Sequence, residues 1–152
     1  MPMPWTYRHS AREFRAFLDD IRDRMDLVSD NMAYTAVDAV FQVFRKRLTA
    51  QQGLDFASVL PSIPRAIFVK DWKISHPPEQ FSDRATTTRE VQLVRANHNL
   101  TPENAIEATA WALRRSLDQR DFDRVLKGIG PEAEAFWHVS VADPAELAQR
   151  IV

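Results

Sequence analysis

Two stretches of this 152-residue chain repeat one another: the order of residues from about Phe14 to Phe68 recurs, degraded, from about Thr88 to Trp137. Arg22 and Arg95, Leu27 and Leu100, Asn31 and Asn104, and Ala39 and Ala112 each stand 73 residues apart. Leu18/Val91, Ile21/Val94, Val40/Leu113 and Phe44/Leu117 keep apolar character at that spacing. Further along the spacing falls to 66, pairing Asp55-Phe56 with Asp121-Phe122, Val59-Leu60 with Val125-Leu126, and Ile63 with Ile129. The change leaves a surplus in copy one around Leu48 to Leu54, where Gln51-Gln52-Gly53 reads as a tolerated loop insertion. A repeated helical unit cannot bury its apolar face alone, so the two copies are expected to pack together. Chance alignment of two amphipathic stretches is the competing reading, and the ordered Asp-Phe and Val-Leu matches weigh against it.

Start and stop signals place nearly every segment on a helix. Ser10 and Glu13 suggest a capping box ahead of Phe14, Phe17, Leu18 and Ile21, which share one helical face. Ser29-Asp30 opens the next helix, with Ala33, Ala36, Val37, Val40, Phe44 and Leu48 as its apolar stripe and Tyr34, Asp38 and Gln42 off it. In copy two, Thr87 to Glu90 is another capping box, and Thr101-Pro102-Glu103 reads as the start of a long helix carrying Ile106, Ala110, Leu113 and Leu117. The third helix of each copy is expected to begin at Asp55-Phe56 or Asp121-Phe122. Pro61 and Pro64 would end the first, and Gly128 with Gly130-Pro131 the second. Ala66 to Val69 is the one β-like run, and a lone strand has no partner, so it too is read as helical or irregular.

The expected fold is therefore all-α: two tandem helical repeats packed as one bundle domain over residues 1–152, with about eight or nine helices. Repeat one covers about residues 10–70, a linker about 71–86, repeat two about 87–138, and a terminal helix opened by Asp143-Pro144 about 143–152. The linker contains Ser75-His76-Pro77-Pro78, yet Trp72, Ile74 and Phe81 suggest that it is pinned across the domain.

A chain of this length can bury roughly 70% of its unfolded surface without a staple. It has no Cys, which removes thiolate nucleophiles, disulfides and Cys-based metal sites. The 20 basic and 21 acidic residues give no global field to gather nucleic acid or anionic lipid. The opening Met1-Pro2-Met3-Pro4-Trp5 lacks a signal-peptide core, and no apolar run approaches the roughly 18 residues of a membrane span. The expectation is a cytoplasmic protein with no nucleic-acid or membrane partner and no cofactor.

Leu60-Pro61, followed by Arg65, Phe68 and Trp72 and then by a second helical unit, is a combination with a known counterpart. It resembles the bacterial domain of unknown function 2267 family, in which a Leu-Pro step leads through Arg and an aromatic to Trp within a domain of two helical repeats. The resemblance covers roughly Tyr7 to Trp137. Ala66 stands where a small Gly is common, and copy two has Leu126-Lys127 in place of Leu-Pro, so its unit is expected to be simplified. What the resemblance implies is an all-α fold with no established activity, and it carries over no catalytic residue.

Chemistry-bearing residues favour structural roles. His9, His76, His98 and His138 have no helical metal-ligand spacing, although a pseudo-twofold packing would bring His98 toward Asp26. Asp19, Asp20, Asp23 and Asp26 could hold a divalent cation, but Arg15, Arg22 and Arg24 interleave with them, which favours a solvated face with intrahelical ion pairs. Arg45-Lys46-Arg47 and Arg114-Arg115 lie near the ends of equivalent helices. They suit either the helix dipole or a duplicated basic edge that meets an acidic partner or phosphates, although no aromatics suited to base stacking cluster nearby. No Gly-rich phosphate loop, Walker-type lysine or nucleophile elbow is present, so no catalytic or metal residues are nominated.

The aromatics point further. Trp111 occupies the register of Asp38, off the apolar stripe, and so either packs against the other copy or the linker or serves as a partner-binding anchor. Tyr34 and Phe41 form a second apolar strip on the equivalent helix, which makes Tyr34, Phe41 and Trp111 the candidate contact surface. Arg65 and Trp72 are candidates for docking the linker. The favoured function is a non-catalytic interaction module for an unknown protein partner or a second copy of the chain. The alternative is a small-ligand sensor or enzyme with a pocket between the copies, lined by Trp72, Trp111 and Trp137 with Arg65 holding an anion. An inward-facing Arg65 would favour the pocket; a capping Arg65, the module.

Overall fold

A computed structural model describes residues 1–97 and 101–152. These residues form α1 (Trp5–Arg8), α2 (Ser10–Met25), α3 (Asp30–Arg45), α4 (Ala50–Ser58), α5 (Ser62–Val69), α6 (Arg84–Leu93), α7 (Ala105–Arg114), α8 (Gln119–Ile129) and α9 (Pro131–Phe136). A short 3-10 turn, Pro144–Leu147, follows. The described residues contain no strand, and the fold is all-α.

Local chemistry explains most of the boundaries. Ser29 caps α3 by accepting from the Met32 N–H, and Asp83 caps α6 by accepting from Thr86. Thr49 and Gln52 form a reciprocal capping box at α4, while Asp118 accepts from Arg120 and Asp121 at α8. Asp26 closes α2 at φ 54°, in the left-handed region that Asp tolerates. Gly130, at φ 143°, makes the break between α8 and α9, a conformation essentially reserved for glycine.

Several boundaries differ from those read off the sequence. Gln51-Gln52-Gly53 is helix, because Thr49 opens α4 before them, and Asp55 lies inside it accepting from Gln51. Asp121 is likewise inside α8. Pro61 and Pro64 begin α5 instead of ending a helix: Pro61 is its N-cap, and Pro64 falls in the first turn, where a missing N–H costs nothing. Gly128 lies within α8. Ser10 is the first residue of α2 with no capping bond, and Thr87 sits inside α6 because Asp83 caps earlier. Residues 101–104 carry no helix, with a turn at 103–104, and α7 begins only at Ala105. The expected terminal helix is one 3-10 turn, capped by Asp143, followed by extended chain.

Packing pairs α2 with α3 and α7, and α3 with α5, α6 and α7. Helix α4 lies against α5 and α8, α6 against α7, and α8 against α9. One continuous apolar core results, running from Phe17 on α2 to Leu147 beyond α9. At its centre Trp137 is fully buried among Phe41, Phe44, Phe56, Phe122 and Phe136, with ring centroids between 5.0 and 6.3 Å of its own. Such offset and edge-on aromatic pairs add to the burial of their large areas.

Residues 70–83 carry no helix. Their attachment comes from half-buried Trp72 and Phe81, from Glu79 N–H donating to the Lys46 carbonyl at 3.0 Å, and from the Lys46–Glu79 ion pair. Ile74, expected to help, is 49% exposed and does not.

Candidate functional site

Helix α7 is buried on nearly every side, so a tryptophan off its main stripe has to find cover elsewhere. Trp111 finds it between two guanidinium groups. Arg24 of α2 lies 4.9 Å from the ring centroid and Arg115 lies 4.5 Å away, while the indole Nε1 donates to Glu146 at 2.8 Å. The ring is 6% exposed. Arg115 follows Trp111 by four residues, one helical turn, which places its guanidinium over the ring.

The same residues hold the segment after α9. Arg115 Nη1 donates to the Glu146 carbonyl at 2.7 Å, Gln119 to the Leu147 carbonyl at 2.5 Å, and the Arg150 N–H to the Arg115 carbonyl at 2.9 Å. Arg24 pairs with Glu107 at 2.6 Å and with Glu146 at 3.6 Å, and the Glu107 hydrogen bond raises its pKa further. Asp20, buried on α2, accepts from Arg115 at 3.2 Å and from Arg150. Two main-chain carbonyls, one main-chain N–H and the Glu146 and Arg150 side chains are therefore engaged by α2, the end of α7 and the first residue of α8, while the Leu147 side chain is buried in the core. That arrangement grips a single 3-10 turn and the residues that follow it.

The expected contact surface is placed otherwise. Phe41 is fully buried, edge-on to Phe68 at 5.4 Å, and Trp111 is covered as described, so neither offers an open face; Tyr34 is half-buried. The second strip on α3 is core because α5, α6 and α7 surround that helix. The three indoles nominated for a pocket keep different company: Trp137 at the aromatic centre, Trp72 against Phe68 with Arg45 over its ring, and Trp111 between Arg24 and Arg115.

Arg65 is a capping group. It donates to the Ala57, Leu60 and Ser58 carbonyls at 2.9, 3.0 and 3.3 Å, and to the Tyr7 hydroxyl at 3.3 Å, satisfying the frayed end of α4. The run Leu60-Pro61, Arg65, Phe68 and Trp72 is thus a joint: buried Leu60, a proline N-cap, an arginine tying α4 to α5, and two rings packed together.

The basic edges are consumed in the same way. Arg45 donates to the Phe68 and Lys70 carbonyls at 2.8 and 2.9 Å, and burial lowers its pKa. Arg47 donates to the Val43 carbonyl and to Glu90, and Arg114 to the Trp137 carbonyl and Asp123. Burial opposes ionisation of Glu90, but hydrogen bonds from Arg47 and Lys46 prevail and hold it below its ordinary value. The signal was register: Arg45 lies four residues after Phe41, and Arg47 four after Val43, both on buried faces.

In the acidic set, Arg15 reaches Asp19 at 2.8 Å and Asp30 at 2.6 Å, and Asp20 is spent on arginines. Among the described residues no three metal-capable side chains are grouped. His9 stacks against Trp5 at 3.9 Å and His138 bonds Ser140; His98 lies outside the described residues. No helix among those residues is long and apolar enough to cross a membrane.

Fold and site together define an all-helical domain whose arginines and buried carboxylate serve its own helix ends and hold the segment after α9. The chain belongs to the family described as an uncharacterized conserved protein, DUF2267, whose model matches residues 14–136. Comparison with curated proteins finds no match. The family match begins inside α2 and stops at the last residue of α9, so α1 and the segment carrying Glu146, Leu147 and Arg150 lie beyond it.

Proposed function

We propose that this protein is a non-catalytic interaction module, acting in the cytoplasm on another polypeptide or on a second copy of itself. One observation carries the reading: the α2/α7 face and the adjoining start of α8 hold the 3-10 turn after α9 through both its main chain and its side chains, as peptide-binding surfaces do. The capping role of Arg65 supports it over a pocket that would need that arginine turned inward. The two halves are read as copies of one unit. Support comes from the register matches and from reciprocal pairing, in which α2 packs on α7 while α6 packs on α3.

Native mass spectrometry of the gently purified, untagged protein tests this function. An oligomer or a co-purified polypeptide at defined stoichiometry is the expected result. A small molecule retained at one equivalent per chain would overturn the reading in favour of a ligand pocket.

A further inference from the structure

We propose that the α2/α7 face is a peptide-recognition site occupied in cis by the chain's own residues 143–150, which act as a releasable plug. The partner it fits is a polypeptide segment with an acidic residue, an apolar residue directly after it, and an arginine four positions after the acid. This rests on the interaction-module reading and names its site and ligand chemistry.

Each element of the pattern has a receptor. The acid is read by Trp111 Nε1 at 2.8 Å and by Arg24 at 3.6 Å. The next residue, Leu147, is buried at the core's edge. The arginine is read by Asp20, a carboxylate that is itself 7% exposed. Arg115 and Gln119 bind the main-chain carbonyls of the first two positions, and Arg115 accepts the main-chain N–H of the last. The first two subsites select charge and shape, and the main-chain bonds fix register without regard to sequence.

The plug itself is built to leave. Within it only Leu147 is buried; Ala145 and Ala148 are exposed, and Ile151 just beyond is 80% exposed. One 3-10 turn supplies its internal hydrogen bonding, and its remaining anchors are the charge-assisted contacts of half-buried Glu146 and Arg150 and two neutral hydrogen bonds, from Gln119 to the Leu147 carbonyl and from the Arg150 N–H to the Arg115 carbonyl. Segments with few apolar contacts and solvent-edged polar bonds open locally well before a domain unfolds. Release would free the Trp111 Nε1, two guanidinium groups and the Asp20 carboxylate together, all within the region matched to the family, whereas the plug lies outside it.

The test uses the full chain carrying Glu146→Ala, Leu147→Ala and Arg150→Ala, with a labelled synthetic peptide of residues 141–152 titrated by fluorescence anisotropy. The opened variant should bind the peptide one-to-one and wild type at least about tenfold more weakly, because the tethered segment competes at high effective concentration. Adding Asp20→Asn to the opened variant should abolish most of that binding. A folded opened variant that ignores the peptide, or binding equal to wild type, would overturn the assignment. So would a wild-type dimer that the triple substitution dissolves, since the segment would then be exchanged between copies. If the triple variant does not fold, Arg150→Ala alone takes its place. An oligomer or protein complex in native mass spectrometry beside a failed peptide titration leaves the module standing and removes this site.

Discussion

The indole of Trp72 lies directly on Gly53: a Cβ built on that glycine would fall 2.0 Å from Cη2 and 2.3 Å from Cζ3 of the ring. Glycine in a helix interior ordinarily costs about 1 kcal/mol relative to alanine. Here the missing side chain is the seat of the residue that docks the linker. Gly53→Ala should therefore destabilise the protein by about 1–3 kcal/mol, reversing the usual sign. Gly128 is the internal control, since it is also helical and meets nothing within 4 Å. Gly128→Ala should stabilise by about 0.5–1 kcal/mol. Urea unfolding of both variants checks the pair, and equal shifts of the same sign would refute the close approach.

That relationship also marks where sequence reading stopped. A glycine preceded by two glutamines has the local composition of a loop, and nothing nearby says that it accommodates a ring 19 residues downstream. Signals that act within one turn were readable: Ser29 as a cap, Asp143-Pro144 as a start, the apolar faces of α2 and α3. Where two capping residues competed, as Thr49 with Asp55 or Asp83 with Thr87, the earlier one makes the capping hydrogen bond and the helix is longer. The candidate site was half legible. Trp111 stands out by its register, which leaves open both packing against the other copy or the linker and a role as a partner-binding anchor; the structure covers it with Arg24 of α2 and with Arg115. The roles of Glu146 and Arg150 are not legible in the sequence, because the groups they touch, Trp111 and Arg24 for Glu146 and Asp20 for Arg150, lie far along the chain and meet them only in three dimensions.

Arginine burial separates structural from surface cations. Arg45→Ala would leave the Phe68 and Lys70 carbonyls without their donor, and should cost about 2–4 kcal/mol. Arg120, whose side chain is 93% exposed, should tolerate Ala within about 0.5 kcal/mol. Thermal or chemical unfolding of the two variants checks the contrast. A small effect at Arg45 would mean that solvent replaces its bonds.

Trp111 combines ring burial with one polar bond, and two substitutions separate them. Trp111→Ala removes both and should lower stability by about 3–5 kcal/mol. Trp111→Phe keeps much of the ring between Arg24 and Arg115 but loses the bond to Glu146, for a cost of about 1–2 kcal/mol. Hydrogen exchange should show the Phe variant losing protection first in residues 143–150. Uniform loss of protection across α2 and α7 would mean that the indole N–H has no special hold on that segment.

Acid should weaken the fold through its helix caps. Backbone donation from Thr86 holds the Asp83 carboxyl below its ordinary 3.8, and donation from Arg120 does the same for Asp118. With folded-state values depressed, the native chain binds fewer protons than the unfolded chain as pH approaches that range. The stabilisation is fully present above the ordinary aspartate value and is lost as pH falls below it. Asn caps nearly as well as Asp but does not titrate there. The double variant Asp83→Asn, Asp118→Asn should therefore start slightly less stable at neutral pH, where it lacks the charge–dipole attraction, and then lose stability less steeply on acidification. Thermal midpoints followed from about pH 6 to about pH 2.5 at constant ionic strength check this, because the two curves should converge as the wild-type caps protonate. Parallel curves would show that other carboxylates dominate the acid response and that these two caps hold their helices without help from charge.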